Sequence, residues 1–265
     1  MKKTINYPHL LLTALLLTTG CSQTSNSIQE KSVQEKTEQH LKHWGYTGDE
    51  APSHWSELDA SYKMCSMGKQ QSPINIVSNL ELLLPPLDLN YTLGANNIID
   101  NGHTVQVNIQ SGNNFNIDGE NYELKQFHFH TPSENHIEGQ SFPLEAHFVH
   151  ATKDGKLAVI AVMFKEGEAN PILAKIWNTF PLKEGITVDL TLSVDEVKAL
   201  MPNDKKAYYT FLGSLTTPPC TEGVKWHVYK TPLTISKEQV KQFYDLFGHN
   251  DNRPLQETND RVIEE

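Results

Sequence analysis

Between residues 126 and 150 the chain alternates with a period of two. In Gln126-Phe127-His128-Phe129-His130 polar and aromatic residues take turns. Successive side chains of a strand point to opposite faces, so His128 and His130 share one face and Phe127 and Phe129 the other. The same parity in Glu145-Ala146-His147-Phe148-Val149-His150 groups Glu145, His147 and Val149 and sends Ala146, Phe148 and His150 across. Comparable short segments occupy residues 104–109, 122–130, 142–150, 157–164, 208–212 and 224–229. Asn101-Gly102, Asp118-Gly119 and Asp154-Gly155 punctuate them with turn signals. Helix signals are few. Asn170-Pro171 opens a short amphipathic piece, and Ser193 with Glu196 and Ser236 with Gln239 have capping-box spacing. The pattern predicts a mainly β (α+β) fold, a large twisted, mostly antiparallel central sheet with short peripheral helices.

The N-terminal region reads as an address. Lys2 and Lys3 precede an uncharged, Leu-dense run over residues 10–20. A membrane-spanning helix needs about 20 apolar residues, so the shorter run reads as a secretory signal over residues 1–20. Leu17-Thr18-Thr19-Gly20-Cys21 resembles a bacterial lipobox, with Thr18 where an aliphatic residue is usual. Cys21 is accordingly expected to carry lipid and to anchor an exported protein in the periplasm or at the cell surface. Residues 21–41 are polar and read as a flexible tether, which leaves residues 42–265 as one folded domain. Of the 3 Cys, Cys21 is used in processing, and Cys65 and Cys220 remain as an even pair in an oxidising compartment. A disulfide between them is expected.

Six of the 12 His fall between His103 and His150. A metal-bound imidazole needs its other ring nitrogen tied to an acceptor, and Gln126 and Glu145 share strand faces with His128 and His147. The favoured ligands are therefore His128, His130 and His147, with Gln126 and Glu145 orienting them. Three neutral imidazoles and one open position suit a catalytic zinc ion, although imidazole also binds other divalent metals. His128-x-His130-x-x-x-Glu134 also fits half of a cupin metal motif, which would mean an oxygenase. Its flanks disagree, since Tyr122 stands where that motif wants Gly. With 32 acidic against 22 basic residues, a net charge of −10, the chain lacks the basic clusters of a nucleic-acid binder.

Further along, Gly213-Ser214-Leu215-Thr216-Thr217-Pro218-Pro219-Cys220 resembles the α-class carbonic anhydrases. The likeness includes His43-Trp44-Gly45-Tyr46, Gln71-Ser72-Pro73-Ile74, Asn101-Gly102-His103, the two His segments, Ser133-Glu134 and Asn252-Arg253-Pro254. It implies Zn2+ on His128, His130 and His147, and attack of zinc-bound hydroxide on carbon dioxide to give bicarbonate and a proton. Thr216 would accept a hydrogen bond from that hydroxide while donating its own proton to Glu134. Val149, Val159 and Leu215 would wall an apolar pocket, and Thr216 and Thr217 would bind substrate and product. His103 would shuttle the proton to buffer, with Tyr46, Asn101, Gln106 and Gln126 along the water chain or rim. The resemblance also implies a Cys65–Cys220 disulfide, cis bonds at Ser72-Pro73 and Pro218-Pro219, sulfonamide and anion inhibitors, and a homodimer. A non-catalytic binding relative would have lost a zinc His, Thr216 or Glu134, and all are present. His136, His150, His227 and His249 have no partner pattern.

Overall fold

The computed structural model describes residues 43–181 and 183–265. The signal, the tether and the lipidation at Cys21 lie outside the described residues. In chain order the strands are β1 (Asn75–Ile76), β2 (Asp88–Asn90), β3 (Ala95–Asp100), β4 (Val105–Ile109), β5 (Asn114–Ile117), β6 (Glu120–His130), β7 (His136–Ile137), β8 (Leu144–Ala151), β9 (Leu157–Glu166), β10 (Thr187–Leu192), β11 (Tyr208–Ser214), β12 (Glu222–Tyr229) and β13 (Leu233–Ile235). The helices are α1 (Trp55–Leu58), α2 (Met64–Met67), α3 (Pro171–Trp177), α4 (Val194–Lys198) and α5 (Lys237–Phe247).

An 11-stranded sheet runs β10-β3-β4-β6-β8-β9-β12-β11, with β5 on β6, β2 on β5 and β13 on β9. Its neighbours are antiparallel except where β12 and β13 meet β9 in parallel. Each of the six alternating segments lies in or largely coincides with a strand, β4, β6, β8, β9, β11 and β12. Strands β3, β5 and β10 carry Asn or Asp among their residues and gave no such signal; they are strands because β4, β6 and β3 pair with them. The turns follow their chemistry. Asp118 and Gly119, both at positive φ (53° and 76°), close the hairpin from β5 to β6. Asn101 Oδ1 accepts from the backbone N–H of His103 and Thr104, and Gly102 turns at φ 84° between β3 and β4.

The two sheet faces differ as the alternation requires. On one face Phe127 stacks on Phe148 at 4.9 Å and Phe129 meets Trp177 edge-on at 4.9 Å. Helices α3 and α5 cover this face, Trp177 lying 5.2 Å from Phe243. Both helices begin at the expected caps: Asn170 Oδ1 accepts from the N–H of Ile172 and Leu173, and Ser236 with Gln239 forms a reciprocal capping box, as Ser193 with Glu196 does for α4. On the other face Val159, Ala161, Met163, Trp226 and Val228 form a second apolar cluster. A slip of one residue would drive the Phe side chains of β6 into that second face and bury two imidazoles among aromatics, so the register is strongly fixed.

Helix α2 carries Cys65, which is bonded to Cys220 across 155 residues of sequence. The Ser72–Pro73 and Pro218–Pro219 peptides are cis, as is Thr131–Pro132. No helix among the described residues is long and apolar enough to cross a membrane.

Candidate metal centre

Strands β6 and β8 bring the three histidines together because their register sets His128 opposite His147 and His130 opposite Glu145. Ligand atoms of His128, His130 and His147 all lie within 4.8 Å of one another. Each ring has one nitrogen next to an acceptor. Nδ1 of His128 donates to Gln126 Oε1 at 2.9 Å, and Nδ1 of His130 donates to the Asp251 carbonyl at 2.7 Å. Nε2 of His147 lies 2.9 Å from Glu145 Oε1 without making a regular hydrogen bond. The nitrogens left over are Nε2 of His128, Nε2 of His130 and Nδ1 of His147. His130 Nε2 is buried with no hydrogen-bond partner. Burial, reinforced by the neighbouring rings, holds His128 and His147 well below the usual imidazole range, so both are neutral and able to ligate.

Buried carboxyls surround this space. Burial raises Glu145, and Asn135 opposes the shift by donating from its backbone N–H to Oε2 and from Nδ2 to Oε1, each at 2.8 Å. Burial pushes Glu134 up to about 8, against the pull of the Arg253 N–H on Oε1 at 2.8 Å and of the Thr216 hydroxyl. Its Oε2 has no regular hydrogen bond and lies 3.5 Å from His130 Nε2 and 3.9 Å from His147 Nδ1. Burial likewise pushes Asp251 up to about 7. Neutral imidazoles with unused lone pairs, set among carboxyls whose ionisation burial opposes, fit a bound cation, which would favour the ionised carboxylates. The nitrogen donor set suits zinc.

Thr216 and Thr217 follow β11 in a short loop. Ser72 and Ser214 pin its start reciprocally, Ser72 N–H donating to Ser214 Oγ at 2.8 Å and Ser214 N–H to Ser72 Oγ at 3.2 Å. Gly213 permits this approach, since a Cβ there would sit 2.2 Å from Ser72 Oγ and 2.9 Å from the Trp226 ring. Leu215 N–H donates to the Thr221 carbonyl and Cys220 N–H to that of Thr217, so the loop is closed just before and at the disulfide. Val149 faces Val159 across β8 and β9, Val159 faces Trp226 on β12, and Leu215 packs on the same cluster.

His103 sits on the Asn101-Gly102 turn, stacked on Trp44 with ring centroids 3.5 Å apart and 9° between planes. Burial, then the nearby His43, lowers it to about 4. Asn101 shapes the turn with its carbonyl, and Gln106 Nε2 donates to Asn108 Oδ1 at 2.7 Å. The Tyr46 hydroxyl is buried without a hydrogen bond, and burial raises it well above its usual value. His150 belongs to the opposite face, where its Nδ1 donates to the Phe148 carbonyl and its Nε2 accepts from Tyr91 OH at 2.7 Å. His227 is buried there too. Sequence reasoning missed Asp251, whose carbonyl orients His130, and the part played by the Arg253 amide. The only signal was the Asn252-Arg253-Pro254 motif, because a contact through backbone atoms leaves no mark in residue type.

The model of the eukaryotic-type carbonic anhydrase family matches residues 50–265. A carbonic anhydrase of Pectobacterium atrosepticum is 48% identical over 221 residues, covering 83% of this chain and 90% of the relative. A hyperthermostable carbonic anhydrase from an active hydrothermal vent chimney shares 49% identity with a TM-score of 0.80, over 84% of this chain and 99% of its own. The α-carbonic anhydrase of Thermovibrio ammonificans, solved with sulfanilamide, shares 43% with a TM-score of 0.81 over the same fractions. A chain with this sheet, this cluster of three histidines and these relatives belongs to the α-carbonic anhydrases, zinc enzymes whose general reaction is the hydration of carbon dioxide.

Proposed function

We propose that His128, His130 and His147 hold the zinc and that Glu134 with Thr216 orients the nucleophile for attack on carbon dioxide. The observation that carries this reading is the ring geometry: three clustered imidazoles, those of His128 and His130 each with one nitrogen hydrogen-bonded to an acceptor and that of His147 with one nitrogen 2.9 Å from Glu145, their ligand atoms within 4.8 Å of one another. Zinc supplies the acidity that brings ionisation of a coordinated water down to about pH 7. The chain's own residues do the rest. Glu134 ionises more readily beside a cation than its apo value of about 8 suggests, and as a carboxylate it can only accept. The Thr216 hydroxyl must then spend its proton on Glu134, which leaves its lone pairs as the acceptor facing the nucleophile. Val149, Val159 and Leu215 give the apolar substrate a dry wall, and the Thr216 N–H and Thr217 side chain bind the product.

Thr216→Val tests the orienting pair. The expected result is a rate loss of roughly 10²- to 10³-fold with zinc content unchanged, the scale of removing one preorganised hydrogen-bonding group. An unimpaired enzyme would remove Thr216 from the mechanism.

His103 is assigned the proton transfer out of the cleft. Stacked on Trp44 at a value of about 4 it is a poor acceptor near neutral pH, so the transfer uses a rotamer turned off the indole. Trp44→Ala is expected to raise the His103 value from about 4 toward the ordinary 6.5 by NMR titration. His103→Ala is expected to slow turnover in dilute buffer with recovery on adding imidazole; a rate insensitive to either change would exclude the shuttle.

The remaining assignments are export by residues 1–20, lipidation of Cys21, a tether to residue 41 and a domain over 42–265, located in the periplasm or at the cell surface. Inhibition by sulfonamides and simple anions is assigned on the same basis, supported by the sulfanilamide complex of the Thermovibrio relative. A homodimer completes the proposal.

A further inference from the structure

Arg253 is 2% exposed. Its Nη1 donates to Gln71 Oε1 at 2.9 Å and to the Ser72 carbonyl at 2.7 Å, and its Nη2 donates to the Cys65 carbonyl at 2.7 Å. Its guanidinium also lies over the Trp55 ring, 5.6 Å from the centroid. All three acceptors are neutral, an expensive setting for a buried cation, so packing alone would be better served by an apolar side chain. The acceptors belong to two segments, helix α2 and residues 71–72, and only a planar fork reaches both from one point. What the fork holds is the neighbouring backbone. The Arg253 N–H holds Glu134 Oε1 at 2.8 Å, and two residues earlier the Asp251 carbonyl takes the proton of His130 Nδ1 at 2.7 Å. Gln71, the acceptor on one prong, donates from Nε2 to the Cys220 carbonyl at 3.0 Å, which ties the same fork to the loop carrying Thr216 and Thr217.

We infer that Arg253 is a positioning residue of the metal centre: by pinning residues 251–253 to Cys65 and Gln71-Ser72, its side chain fixes the carbonyl that aims His130 and the amide that holds Glu134. The inference rests on the zinc site proposed above. It reaches the metal only through backbone atoms, so it predicts faster loss of zinc rather than loss of a ligand. Orienting partners of metal-bound His are worth about 10- to 100-fold in affinity, and the effect of Arg253 belongs at that scale.

The test compares full-length Arg253→Met and Arg253→Lys with Ile98→Ala, a truncation in β3 among the far-face core that serves as a stability control. Zinc release to a chelator is timed, and the visible spectrum of each cobalt(II)-substituted protein is recorded as a measure of ligand geometry. Arg253→Met is expected to release zinc about 10- to 100-fold faster than wild type and to alter the cobalt bands, whereas Ile98→Ala lowers the melting temperature and changes neither. Arg253→Lys keeps the charge without the fork and is expected to release zinc faster as well. If Arg253→Met does not fold, Arg253→Lys decides. Zinc release and cobalt bands equal to those of Ile98→Ala would overturn the inference while leaving the zinc site intact. A wild-type protein that takes up no zinc would instead sink the site assignment itself.

Discussion

His147→Ala is expected to lose zinc and to hydrate carbon dioxide no faster than buffer. Two nitrogens, Nε2 of His128 and Nε2 of His130, would remain of the three that face the common space, too few for a closed protein set that leaves one open position. The damage extends outward. Glu145, buried and already raised by desolvation, would lose the ring 2.9 Å from Oε1 and keep Asn135 and the Glu134 backbone as its partners. The Trp226 ring would lose its edge-on neighbour at 4.9 Å. Metal content by atomic absorption and stopped-flow hydration together check the outcome. A variant hydrating at the wild-type rate without metal would end the zinc reading.

The second large effect concerns stability. Replacing Cys65 and Cys220 together by Ser removes a crosslink spanning 155 residues, which chain entropy values at about 5 kcal/mol. For a domain of this size that corresponds to a melting temperature lower by roughly 10 to 20 °C. Activity is expected to fall as well, because Cys220 N–H closes the turn on Thr217 and the Cys220 carbonyl anchors Gln71. Thermal scans of the wild type with and without a phosphine reductant, beside the double variant, measure both effects. A melting temperature unchanged by reduction would mean that the contacts around Trp55 and Tyr62 hold this corner without the bond.

How much of this was legible in the sequence depends on which atoms carry each contact. Strand parity put His128 and His130 with Gln126 on one face, and His147 with Glu145 on one face of the next strand, and those pairings recur in the structure at 2.9 Å each. Capping boxes at Ser193 and Ser236 and the Asp118-Gly119 turn were equally readable, because a short polar side chain or a left-handed residue serves one local geometry. The partner of His130 was not readable. It is a backbone carbonyl 121 residues away, and every residue has one. The state of His103 was hidden for a related reason: its type suits a proton carrier, but its stacking on Trp44 and lowered value follow from packing between distant segments.

The sequence by itself determined what is local: six of the strands by alternation, turns by Gly and Asx chemistry, the starts of α3, α4 and α5 by their caps, and the residue types able to hold zinc. Only the tertiary structure decided the register of β6 against β8, which turns two pairs of strand faces into one cluster, and the placement of residues 251–253 behind His130 and Glu134. The physical reason is that alternation records which side of a strand is apolar, whereas the orientation of the His130 imidazole and the hold on Glu134 are set by hydrogen bonds to backbone groups that carry no residue identity.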